Sequence, residues 1–142
     1  MADPLSIAAS VASLLSITVG AFALISKYVA SAKGERKDII ACSDELSMLR
    51  GVLQHIQEIF LTCGDSHPLL QQSASILLRI DECKDVLDDL LQKLSTPSSG
   101  NKFKSALQHL VWPLKKEETL RVLGVIHRYR EMFHTLLSAE GL

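Results

Sequence analysis

The stretch PLSIAASVASLLSITVGAFALIS, residues 4–26, decides how this chain of 142 residues folds. It contains no charged residue and is built mainly of Ala, Leu, Ile, Val and Ser. Asp3 directly before it is a good N-cap, and Pro4 suits a first helical turn, where a missing N–H costs nothing. Gly34 is a natural stop after it. The stretch therefore predicts one long apolar helix, over residues 4–32.

The rest of the chain predicts further helices. Apolar residues recur at alternating spacings of three and four, which is typical of helices packed in a bundle. Pro113 should end a short amphipathic segment, and the residues Ser95–Asn101 form the clearest loop. The predicted helices cover residues 4–32, 35–62, 68–94, 102–111 and 115–139. We therefore expect one all-α domain over residues 1–142, an up-and-down four-helix bundle with a short extra helix before the last one.

Composition argues against several classes of function. The formal net charge of −1 gives no basic signature for nucleic acid. Three widely spaced cysteines imply no disulfide framework and suit a reducing cytosol. Cys63, Asp65 and His67 lie close together, but they are too few for a metal site. Phosphate-binding loops, nucleophile elbows and zinc-binding helices are missing from the sequence, so we expect neither an enzyme nor a bound cofactor.

The first helix lacks an ordinary solvated face. At about 100° per residue, one side carries the apolar residues Ala8, Val11, Leu15, Val19, Phe22 and Val29. The opposite side carries small residues, which are Ser6, Ser10, Ser13, Ser16 and Gly20. A helix that is apolar all round is either buried or in a membrane, and residues 4–26 would span roughly 34 Å against a bilayer core of about 30 Å. The pattern alone leaves both readings open, a core helix and a helix that enters lipid.

Four segments resemble a known family. They are ADPLSIAASVA (residues 2–12), SAKGERKDI (31–39), LSMLRGVL (46–53) and WPLKKEE (112–118). Each is weak alone, but they occur in the order found in the fungal HeLo-like N-terminal domain, which stands at the front of many fungal NOD-like receptors. The resemblance extends over essentially the whole chain.

The resemblance implies a cell-death effector of fungal innate immunity and heterokaryon incompatibility. Such domains are thought to oligomerise and to permeabilise the plasma membrane, so the implied location is cytoplasmic at rest and the plasma membrane after activation. The implied partners are anionic membrane lipids, further copies of the domain, and a switch or amyloid-motif domain in cis or in trans. The chain stops at Leu142 without such a domain, so we expect a fragment or a short standalone form. The implied membrane-active residues lie in the first helix and are Leu5, Ala8, Val11, Leu15, Val19, Phe22 and Val29.

Alternatives remain at this stage. The basic residues of the C-terminal third offer contacts for lipid headgroups, but an ordinary solvated face is the favoured reading, since surface charge mostly serves solubility. These residues are Lys102, Lys104, Lys115, Lys116, Arg121 and Arg128. The domain as a whole could be a non-lytic interaction or oligomerisation module of a fungal NOD-like receptor, or a constitutive membrane anchor. Trp112 and Phe103 are predicted to cover the open end of the bundle.

Overall fold

The computed structural model of the chain describes residues 3–31, 36–62, 71–95 and 112–140. Within these ranges the regular structure is helical, with no strand, which confirms the predicted all-α four-helix bundle. The long helices are α1 (Pro4–Ser31), α2 (Lys37–Thr62), α3 (Ser73–Ser95) and α4 (Lys116–Glu140).

The helix ends agree with the predicted ends to within a few residues. As predicted, Asp3 caps α1, because its Oδ1 accepts a hydrogen bond of 2.6 Å from the backbone N–H of Ser6. The largest difference is at α3, where Gln71 and Gln72 form a turn of 3₁₀-helix and the α-helix begins at Ser73, not at residue 68. Tight 3₁₀ turns are common at helix N-termini. The predicted short helix over 102–111 lies outside the described residues.

The four helices alternate in direction, but chain neighbours are not always packing neighbours. α1 packs against α2 and α3, whereas α4 packs mainly along α2 and touches α3 lightly. The order around the bundle is therefore α1, α2, α4, α3. The directions follow from the contacts Phe22–Arg50, Tyr28–Leu94, Cys42–Thr119, Glu45–Arg130, Lys93–Glu118 and Glu82–Tyr129. The C-terminal ends of α1 and α3 thus lie beside the N-terminal ends of α2 and α4.

The core follows the predicted seams of α2 and α3. Every predicted seam residue of these two helices within the described ranges is buried, and these are Ile39, Cys42, Leu46, Leu49, Leu53, Ile56, Phe60, Ser73, Ile76, Ile80, Cys83, Leu87, Leu90 and Leu94. The sequence spacing also predicts a buried stripe on α4, formed by Leu120, Leu123, Ile126, Tyr129, Phe133 and Leu136 (with Leu137), and this stripe is less well covered. Ile126 and Phe133 are buried, but Leu120 is 48% exposed. The reason is that α4 has close packing on one side only, against α2.

Candidate membrane-interacting helix

The buried side of α1 is rotated from the side that the sequence predicted. Of the predicted apolar face, Ala8, Val11 and Leu15 are buried, Phe22 and Val29 are half-buried, and Val19 is 44% exposed. Leu5 is 70% exposed. The line that enters the core is Ile7, Val11, Leu14, Thr18, Ala21, Ile25 and Tyr28. Because α1 is apolar on most sides, its own pattern did not fix its orientation, and packing against α2 and α3 did.

The polar residue in this buried line is satisfied inside the helix. Thr18 is fully buried, and its hydroxyl donates a hydrogen bond of 2.8 Å to the carbonyl oxygen of Leu14, one turn earlier. A buried hydroxyl without a partner would cost free energy, whereas this one needs none from a neighbouring helix. The side of α1 that faces the core is therefore effectively apolar.

The outward side of α1 is almost free of charge. Its exposed residues are Leu5, Ser6, Ala9, Ala12, Ser13, Ser16, Val19, Ala23, Lys27 and Ala30, and Lys27 alone among them is ionisable. The outer faces of the other helices are ordinary in comparison, since they carry exposed charges such as Asp44, Asp85 and Arg128. By length and composition the stretch Pro4–Ala30 is apolar enough to cross a membrane, and 33% of its apolar 18-residue window is buried in the bundle.

The C-terminal end of α1 is anchored by Tyr28. The Tyr28 hydroxyl donates a hydrogen bond of 2.7 Å to the carbonyl oxygen of Leu94, in the last turn of α3. Its ring meets the Trp112 ring edge to face, with centroids 5.2 Å apart and an interplanar angle of 89°. Burial raises the pKa of Tyr28, so the hydroxyl remains a donor. Trp112 thus covers this end of the bundle as predicted, while Phe103 lies outside the described residues.

A second contact fastens α1 to α2 through a charge. The guanidinium carbon of Arg50 lies 5.8 Å from the centroid of the half-buried Phe22 ring. A cation over an aromatic face at this distance is attracted by the negative charge of the ring face. Phe22, which the sequence assigned to a lipid-facing role, is therefore a packing contact in the folded bundle.

The predicted headgroup-binding residues are scattered. Lys115, Lys116, Arg121 and Arg128 are exposed on or beside α4, and Lys102 and Lys104 lie outside the described residues. Arg121 stands 3.9 Å from the carboxylate of Glu118, which offsets part of its charge.

The structure brings Lys116 together with two basic residues that the sequence reasoning did not assign to the site. Arg36 and Lys37, at the start of α2, line one open groove with Lys116 and Leu120. Arg36 also pairs with Asp38 at 2.8 Å, so its charge is largely compensated. Only the parallel directions of α2 and α4 reveal this basic corner, because Lys37 and Lys116 are 79 positions apart in the chain.

A half-buried carboxylate, that of Glu45, ties α4 to α2. Arg130 Nε donates a hydrogen bond of 2.6 Å to Glu45 Oε2, and His127 Nδ1 lies 2.8 Å from Glu45 Oε1. Burial by itself raises the pKa of Glu45, but the hydrogen bonds and charges of Arg130 and His127 outweigh it and hold the pKa below its usual range. Glu45 is therefore ionised at neutral pH and links the two helices.

The two cysteines within the described ranges are held in unreactive surroundings. Cys42 and Cys83 are buried, and burial raises the pKa of each thiol to about 12. Such thiols are protonated and poor nucleophiles at neutral pH. Across residues 3–31, 36–62, 71–95 and 112–140, no group of three or more His, Cys, Asp or Glu could hold a metal ion. The trio Cys63, Asp65 and His67 falls outside these ranges.

Comparison with known proteins gives a family for the chain. A family model described as the N-terminal domain of the pigment biosynthesis cluster protein PigL matches residues 2–115. The match takes in α1, α2 and α3 and ends one residue before α4 begins. No curated protein and no solved structure gives a significant match. Since the family model covers well over half of the sequence, the chain belongs to the fungal-type family of PigL N-terminal domains.

Proposed function

We propose that this chain is a fungal HeLo-like effector domain that permeabilises the plasma membrane through α1 once several copies are brought together. At rest it would be a soluble cytoplasmic bundle without catalytic chemistry. One observation carries the proposal: the outward side of α1 is exposed to water, yet its only ionisable residue is Lys27. Packing explains the apolar inner side of a bundle helix, but it does not call for an outer side free of charge.

Release of α1 would cost a large part of the stability of the fold. Burial of one aliphatic side chain contributes about 1.5–3 kcal/mol, and the fully buried ones in α1 include Ile7, Val11, Leu14 and Ile25. Their sum is comparable with the whole stability of an ordinary domain, about 5–15 kcal/mol. A bilayer would remove the same side chains from water again, so the net cost is much smaller when lipid is present.

The outward side determines whether lipid could accept the helix. A charged side chain at the centre of a spanning helix costs about 2.5–3.5 kcal/mol on insertion scales. Lys27 lies near the C-terminal end of α1, where its long stem would let the ammonium group reach the interface. Thr18 already donates its hydroxyl proton to Leu14, so it would bring no unsatisfied donor into lipid. Both features favour entry of the whole helix.

A matched pair of substitutions tests the proposal. Ala12 in α1 and Ala74 in α3 are both exposed helical alanines, so Ala12→Glu and Ala74→Glu should both leave the bundle folded. We would measure dye release from anionic liposomes by the full chain, clustered through a fused oligomerising tag, after checking each fold by circular dichroism. We expect Ala12→Glu to lower release at least tenfold, because it places a carboxylate in the spanning segment. Ala74→Glu should release dye like the parent chain.

The alternative is a non-lytic interaction or oligomerisation module, and the full burial of the inner side of α1 is the observation that favours it. On this view α1 never leaves the bundle. No dye release from the clustered parent chain, together with amide exchange in α1 that is equally slow with and without liposomes, would support the module and refute the membrane proposal.

A further inference from the structure

Tyr28 belongs to a chain of contacts that ends in α4. Its ring packs on Trp112, and the indole N–H of Trp112 donates a hydrogen bond of 2.8 Å to the hydroxyl of Thr119. Thr119 is fully buried in the first turn of α4, and its hydroxyl donates in turn to the carbonyl oxygen of Lys115 at 3.0 Å. Every polar atom in this chain of contacts therefore has a partner.

This chain of contacts joins two helices that otherwise stand apart. α1 and α4 lie on opposite sides of the bundle and do not pack along their lengths. Trp112 precedes α4 and reaches across to the last turns of α1, while Tyr28 reaches from α1 to the carbonyl of Leu94 in α3. The end of α1 is thus fastened at a point where the position of Trp112 depends on the first turn of α4.

We propose that Tyr28, Trp112 and Thr119 form a lock through which the start of α4 controls the release of α1. In the folded bundle, the Thr119 hydroxyl accepts a hydrogen bond from the indole N–H of Trp112, and the indole ring packs against the Tyr28 ring. The Tyr28 hydroxyl donates a hydrogen bond to the carbonyl oxygen of Leu94 in α3. Displacement of the first turn of α4 withdraws Trp112 and leaves α1 held by its apolar packing and by Phe22. As a regulator of membrane entry, the lock rests on the proposed function, but its structural part is testable without lipid.

The lock predicts a specific pattern of amide exchange in the full chain. Tyr28→Phe keeps the ring and removes the hydroxyl, whereas Thr119→Val keeps the side-chain shape and removes the acceptor for Trp112. Each should speed the exchange of residues 18–31 by about three- to tenfold, since a buried hydrogen bond is lost. Because both changes open the same lock, the double variant should exchange little faster than the faster single variant.

Two matched variants separate the lock from general destabilisation. Tyr129→Phe removes the other tyrosine hydroxyl, which donates to Glu82 at 3.1 Å, and should leave α1 exchange unchanged. Thr119→Ser removes only the methyl group and keeps the hydroxyl, so its α1 exchange should stay close to that of the parent chain. Should Thr119→Val fail to fold, Trp112→Phe, which keeps an aromatic ring and loses the N–H, replaces it. Trp112 is the only tryptophan in the sequence, so its fluorescence reports directly whether the indole ring has moved.

Each outcome is decisive. Faster exchange in α1 alone, with α2 unchanged, supports the lock. Wild-type exchange of α1 in Thr119→Val, or equal acceleration in every helix, overturns it. If α1 opens faster in these variants but clustered protein still releases no dye, the lock stands and the membrane proposal falls.

Discussion

The orientation of α1 can be tested with two valines that the sequence pattern treats alike. Val11 and Val19 both belong to the apolar side predicted from the sequence, but Val11 is fully buried and Val19 is 44% exposed. We therefore expect Val11→Ala and Val19→Ala to differ strongly in their effect on the free energy of unfolding, although the atoms removed are the same.

The magnitudes follow from the burial. For Val11→Ala, two buried methyl groups are worth about 1.6 kcal/mol of transfer free energy, and a cavity of roughly 50 Å³ adds about 1.2 kcal/mol. The better helix propensity of Ala returns about 0.6 kcal/mol, so the net loss is about 2 kcal/mol. For Val19→Ala, partial exposure reduces the transfer free energy to about 0.9 kcal/mol and leaves no closed cavity. With the same gain in propensity, the net loss is about 0.3 kcal/mol.

Urea denaturation followed by circular dichroism measures this difference. With a slope of about 1–3 kcal/mol per molar urea, the midpoint of Val11→Ala should lie about 1 M below that of the parent chain. The midpoint of Val19→Ala should barely move. Equal losses, or a larger loss for Val19→Ala, would show that α1 faces the core with the side predicted from the sequence, and would remove the basis for the outward side described above.

Two further predictions concern the ionisable residues. Because the pKa of Glu45 is depressed in the folded state, its contribution to stability is present above the ordinary pKa of about 4.3 and is lost as the pH falls toward the folded value. The urea midpoint should therefore fall more steeply below pH 4.5 in the parent chain than in Glu45→Gln, and parallel curves would contradict the role of the Glu45–Arg130 pair. In a Cys63→Ser background, the thiols of Cys42 and Cys83, with pKa values of about 12, should react with iodoacetamide about a thousandfold more slowly in the folded than in the urea-unfolded chain. Rapid labelling of the folded chain would show that the core opens.

The sequence predicted the helices more reliably than the way they meet. α2 and α3 each combine one apolar seam with charged outer residues, so their buried residues follow directly from the spacing. α1 offers no such contrast, because apolar or small residues cover every side of it and Lys27 is its only charged residue. Its inner line includes Thr18 and Ala21, two residues that are ordinary on a surface. Their burial depends on the neighbouring helices and on the hydrogen bond of Thr18 to Leu14.

The candidate site was likewise only partly predictable from the sequence. Membrane-compatible length and apolarity are properties of a single segment, so they could be read directly from residues 4–26. The lock at Tyr28 involves α1, α3 and the start of α4. Its hydrogen bonds join Tyr28 to Leu94, 66 positions away, and Trp112 to Thr119, 7 positions away. Sequence spacing gave Trp112 a covering role but did not identify its partner, because that partner depends on which helix ends lie side by side.

The outward side of α1 is more informative about function than its buried side. Ile7, Leu14 and Ile25 are apolar because they fill the core, and any stable four-helix bundle would need similar residues there. Ala9, Ala12 and Ser16 face water. With Glu or Lys at these positions the domain would still fold and would be more soluble. α2, α3 and α4 carry such charges on their outer faces. Core packing does not explain why α1 lacks them, and this absence supports the proposed second state, in which these residues leave water. Ala12→Glu tests that second state, and Val11→Ala tests the first.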